Sequence, residues 1–90
     1  MRQFQNQAEA SFYDYMCSRR QHKKSTIWQY ILRCRTIMSM DLLQNENLDP
    51  LISAYETGRY KDINATSHKA FSCALKRLRE YQIHKGIVVA

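Results

Sequence analysis

Apolar side chains recur every three or four positions through most of this chain, and the polar positions between them fall into matching rows. Phe4, Ala8, Phe12, Tyr15 and Arg19, widened by Met16, form the first such row. It predicts an amphipathic helix over about residues 6–20 whose buried face is mostly aromatic. Glu9, Asp14 and Arg20 fall outside that stripe. A second row, Ile27, Tyr30, Ile31, Cys34, Met38 and Leu42, predicts one helix over residues 26–43, with Gln29, Arg33 and Thr36 opposite. Ser25 or Thr26 is placed to cap it, since a hydroxyl oxygen can accept from an unpaired N–H of the first turn.

The polar run Gln44, Asn45, Glu46, Asn47 interrupts the periodicity. Asp49 and Pro50 restart it, Asp as N-cap and Pro as first helical residue. A short helix over residues 50–57 then presents Leu51, Ile52 and Tyr55. Gly58 ends it, because glycine enters the left-handed region without a Cβ clash. In the connector that follows, Tyr60 and Ile63 are expected to tuck against the core. The last helix, over residues 67–85, is capped by Thr66 or Ser67 and stops at Gly86. It buries Phe71, Ala74, Leu75, Leu78 and Tyr81, and turns Lys69, Lys76 and Glu80 outward. The apolar residues 87–90 pack as a tail or lead onward.

Two glycines and one proline in 90 residues leave few breaks, which favours helices over the frequent turns of a β-sandwich. The length suits one domain, residues 1–90, with one core. The expected fold is therefore all-α, a compact four-helix bundle. Nothing approaches the roughly 18 apolar residues of a membrane span, and no apolar stretch follows the first charges as in a signal peptide. Cys17, Cys34 and Cys73 are odd in number and far apart. With His22, His68 and His84 they complete no zinc spacing, so no metal or cofactor is expected. Reduced thiols suit a cytoplasmic setting.

Charge gives the first functional lead. Fourteen Lys and Arg stand against eight Asp and Glu, a net +6, and such a balance favours acidic partners, nucleic acid above all. The densest stretch is residues 19–24, with Arg19, Arg20, Lys23 and Lys24, followed by Ser25 and Thr26. It leads into a helix N-terminus, where free N–H groups and the helix dipole attract a phosphate oxygen. A solvated loop would carry the same charges. Lys69 and Lys76, seven apart, form a second basic group; Arg77, Arg79, Arg33 and Arg35 read more simply as wet helix faces.

Tyr15, Tyr30, Tyr55 and Tyr81 lie on buried stripes and are assigned to the core, as is Trp28. Tyr13 is the tyrosine expected to be exposed. The carboxylates are scattered, no glycine-rich phosphate loop exists, and nothing in the spacing brings Cys17 to His22 or Cys73 to His68. The chain is not expected to be an enzyme or to take a small-molecule substrate.

Three segments also carry a resemblance. SFYDYM (residues 11–16), KSTIWQYI (residues 24–31) and NATSHKAFSCALKRLREY (residues 64–81) resemble the core-binding domain of phage-type integrases, the tyrosine recombinases. Those domains pair an aromatic first helix with a polar loop and a second helix opening Ser/Thr-x-x-x-Tyr. The resemblance covers about residues 12–81. It implies an orthogonal, SAM-like bundle that clamps duplex DNA. Carried over, the contacts are Lys23, Lys24, Ser25 and Thr26, with Arg33 further along. The family's catalytic arginines, histidine and nucleophilic tyrosine have no counterpart here. The expected function is a DNA-binding module contacting phosphates through Arg19, Arg20, Lys23, Lys24, Ser25, Thr26, Arg33, Lys69 and Lys76. The competing expectation is a protein-docking module, or a phage- or plasmid-borne regulator that acts without DNA.

Overall fold

A computed structural model of the protein describes residues 3–87. Every regular element among them is helical: α1 (Gln7–Arg19), α2 (Lys24–Ile37), α3 (Met40–Leu43), α4 (Asp49–Glu56) and α5 (Ala65–Lys85). The helix α5 is the spine, about 31 Å long at 1.5 Å per residue, and packs most extensively against α4 and α2. The core is drawn from all five helices: Phe12 and Met16, Ile27 and Ile31, Met40 and Leu43, Ile52, and Leu75 with Leu78. Tyr15, Tyr30, Tyr55 and Tyr81 are buried as the stripes predict, Trp28 is buried beside them, and Tyr60 and Ile63 pack against the core from the connector.

The bundle has five helices rather than four because the second stripe is cut. Met38 and Ser39 take extended backbone angles, and Ser39 becomes the N-cap residue of α3. The Ser39 hydroxyl donates to the Asp41 carboxylate, while its carbonyl accepts from the N–H groups of Leu42 and Leu43. Serine is a favoured residue at such a helix start, although here its hydroxyl is engaged with Asp41 and not with a backbone N–H. The break changes which residues face inward. Met38 and Leu42, expected in the core, are 38% and 56% exposed, while Met40 and Leu43 are fully buried instead.

The caps also differ from expectation. Ile27 N–H donates to the Lys23 carbonyl, so α2 starts before Ser25 and Thr26, and both lie inside its first turn without capping it. Asp49 is already helical, and Leu48, buried in the core, takes the N-cap position. Asn64, not Thr66 or Ser67, caps α5, its Oδ1 accepting from Ser67 N–H at 2.8 Å. Gly58 and Gly86 end their helices at φ +67° and +74°. At both, the following N–H reaches back five residues, Arg59 to Ala54 and Ile87 to Gln82, the bond of a Schellman ending.

Two side chains act as long-range ties. Gln82 Nε2 donates to the carbonyls of Gln44 and Glu46, both at 2.8 Å, and fastens the polar run after α3 to α5. Phe4, expected to begin the stripe of α1, lies before the helix and stacks on Trp28 at 5.0 Å. Tyr13, expected to be exposed, is half-buried against these two rings. The tail residues 88–90 lie outside the described residues.

Candidate nucleic-acid interface

The turn between α1 and α2 is tight. Arg20 closes α1 in the left-handed region at φ 56°, and its N–H donates to the Cys17 carbonyl at 3.2 Å. Only Gln21 and His22 separate it from Lys23, the N-cap residue of α2. His22 is held edge-on to Tyr30, ring centroids 5.5 Å apart. The first turn of α2 has no side-chain cap and no acidic residue. The N–H groups of Lys24, Ser25 and Thr26 therefore have no intrahelical acceptor, and they add to the positive charge of Lys23 and Lys24.

Acidic residues neutralise cations elsewhere. The ion pairs among the described residues are Arg35–Glu9, Lys76–Glu56, Arg77–Glu80 and Arg79–Asp49. Arg20, Lys23, Lys24 and Arg33 have none among the described residues. Arg19 Nη1 donates to the Tyr15 hydroxyl at 3.0 Å, which anchors it beside α5 rather than leaving it free. Thr26 and Arg33 are half-buried. Arg33 follows Thr26 by seven residues, so it lies on the same side of α2 about 10 Å further along.

The second predicted group is in a different place. Lys69 and Lys76 do line one surface, as their spacing implies, and that surface is a groove between α4 and α5. None of the α1–α2 cations lines this groove. Lys76 is bonded there to Glu56 at 2.5 Å. The predicted residues thus divide into a set at the α1–α2 turn and a pair at the α4–α5 groove.

Arg35 is the residue whose role was hidden. Its position on α2 predicts a wet helix face, but its guanidinium forms a two-pronged pair with Glu9, Nη2 to Oε1 at 2.6 Å and Nε to Oε2 at 2.8 Å. Glu9 lies off the apolar stripe of α1, yet it is completely buried. Burial pushes its carboxyl up, but the bonds from Arg35 and from Gln5 N–H outweigh that and hold it below the usual range. The local signal was Asn6 three residues before Glu9: Asn6 Oδ1 accepts from Glu9 N–H, and the Glu9 carboxylate reaches back to Gln5 N–H, much as in a capping box.

The cysteines and histidines assemble no metal site: among the described residues no group of three or more His, Cys, Asp or Glu could hold an ion. Burial pushes the Cys34 thiol up to about 12, and Cys73 is exposed. His68 has both ring nitrogens engaged with backbone, Nε2 by Tyr60 N–H and Nδ1 by the Asn64 carbonyl. No helix among the described residues is long and apolar enough to cross a membrane. The chain matches no family model, no curated protein and no solved structure.

Proposed function

We propose that this chain is a non-catalytic, cytoplasmic DNA-binding module that meets the phosphate backbone of duplex DNA with the α1–α2 turn, as an integrase core-binding domain does. One observation carries the reading: Arg20, Lys23 and Lys24 stand without acidic partners at the uncapped N-terminus of a 14-residue helix. Such an end offers a phosphate both charge and directed N–H donors. The Ser25 and Thr26 hydroxyls and Arg33 extend the same helix, and the resemblance of residues 11–31 to the recombinase segment supports this placement. Arg19, tied to Tyr15, serves at the edge.

The test is a titration of labelled duplex DNA at two salt concentrations, for wild type and for Lys23→Ala/Lys24→Ala. Each lysine on a phosphate contributes about one unit to the slope of log affinity against log salt, so the double variant should lose about two. Absence of binding at low salt would defeat the proposal.

A protein-docking reading draws on Leu32 and Leu42, exposed apolar side chains on α2 and α3. It predicts partner binding that salt leaves almost unchanged, because burial of apolar area is not screened.

A further inference from the structure

The groove between α4 and α5 has a construction that backbone-phosphate binding at the other turn does not use. It is a largely solvent-open groove of about 700 Å³, a volume within the roughly 300–1,000 Å³ of pockets that hold small ligands. One wall is aromatic. The rings of Tyr55 and Tyr60 lie 4.8 Å apart, and Tyr60 is within 17° of parallel to His68. Tyr60 is only half-buried, and it lines the groove.

The lining also carries three lysines among neutral residues such as Thr57, Ile63 and Ala65. Lys61, Lys69 and Lys76 all border the groove, and Lys61 and Lys69 have no ion pair among the described residues. Glu56, held by Lys76, is the acid in the lining. His68 is turned to backbone, its Nε2 accepting from Tyr60 N–H. The ionic side chains of the groove therefore sum to +2. A phosphate monoester carries about −1.5 to −2 at neutral pH.

The groove's hydroxyls are turned inward. Ser72 Oγ donates to the Lys69 carbonyl, and Thr57 Oγ1 to the Ser53 carbonyl. The donors facing a ligand include the ammonium groups, which recognise charge without demanding one geometry, and the phenol hydroxyls of Tyr55 and Tyr60. A tyrosine face beside cations favours a molecule that is both flat and anionic. Acidic side chains of a peptide supply the charge without the plane.

We infer that the α4–α5 groove binds a free nucleoside monophosphate, with its phosphate against Lys61 and Lys69 and its base against Tyr60. This site is independent of the DNA-binding turn and is tested without DNA.

The full chain, labelled with ¹⁵N, is titrated with AMP, adenosine, inorganic phosphate, an oligoglutamate peptide and a short oligothymidine strand. AMP should shift the amides of Gly58, Lys61 and Ser72, and should bind at least tenfold more tightly than each of the other four. Lys61→Gln/Lys69→Gln, at two exposed positions, should weaken AMP by tenfold or more and leave adenosine unchanged. Tyr60→Leu should weaken AMP about tenfold, the scale of one base–aromatic stack, and leave inorganic phosphate unchanged. The proposal is overturned if AMP does not bind, or if its shifts centre on Lys24 and Ser25. It is equally overturned if phosphate, oligoglutamate or the oligothymidine strand matches AMP.

Discussion

Replacing Arg35 with methionine removes the guanidinium from the buried carboxylate of Glu9 and keeps most of the side-chain volume. In the folded protein that carboxylate has three donors: Arg35 Nη2 at 2.6 Å, Arg35 Nε at 2.8 Å and Gln5 N–H at 2.8 Å. The substitution leaves one. Two hydrogen bonds to a charged group contribute about 1.5–3 kcal/mol each, and breaking a buried pair from one side costs about 3–5 kcal/mol. The Arg35 side chain is 20% exposed, so some water can follow it in, which places the loss near the low end, about 3 kcal/mol. That is a large part of the roughly 5–15 kcal/mol that holds a domain together.

The effect has a pH signature. In the wild type the folded-state value of Glu9 is lowered, so the pair's stabilisation is complete above the ordinary glutamate value and is lost as pH falls through the lowered one. In the variant burial dominates and raises the folded-state value. Its stability therefore falls as pH rises from the unfolded value through the raised one. Both effects widen the gap between the two proteins from acid to neutral pH. Urea unfolding followed by the fluorescence of Trp28, the single tryptophan, measures this gap at about pH 3 and about pH 7. An equal gap at both pH values, or less than about 1 kcal/mol at neutral pH, would refute the assignment of the cost to an uncompensated carboxylate. Glu9→Leu/Arg35→Met should recover most of the loss, because an apolar pair of similar volume leaves no buried charge.

Two further outcomes are expected. Arg20→Gly should raise thermal stability by about 0.5 kcal/mol while weakening DNA binding, since glycine relieves the left-handed strain of about 1–2 kcal/mol but loses more freedom on folding; a lowered melting temperature would contradict this. A thiol reagent applied to the native protein should label Cys73 quickly and Cys34 only on unfolding, because Cys73 is exposed and Cys34 is buried with its thiol pushed up to about 12. Mass spectrometry of labelled peptides reads both, and equal native rates would contradict the burial.

The helical class, the four main apolar stripes and the two glycine stops were legible because each depends on residues within a turn or two of one another. The periodicity of Phe12, Tyr15 and Met16, or of Ala74, Leu75 and Leu78, needs no partner to be read. The break at Ser39 was harder. Met38 and Leu42 continue the spacing of Cys34, and a helical period cannot tell a continued stripe from one in which a second helix restarts at Ser39. Met40, Leu43 and Leu48 entered the core only because that break turned the chain.

The candidate site divides along the same line. The sequence by itself determined a cationic turn at residues 19–24 ahead of a helix, since charge density and helix onset are both local. It also determined that Lys69 and Lys76 share a side of their helix. Tertiary structure decided which cations stay available. Arg35 is drawn to Glu9 from 26 residues away, Arg79 to Asp49 from 30, and Lys76 to Glu56 across two helices. It also set Lys61 and Tyr60, from a connector without periodicity, opposite Lys69 to make a groove. Ion pairs and cavities depend on distances between elements, and those distances exist only once the apolar faces have packed.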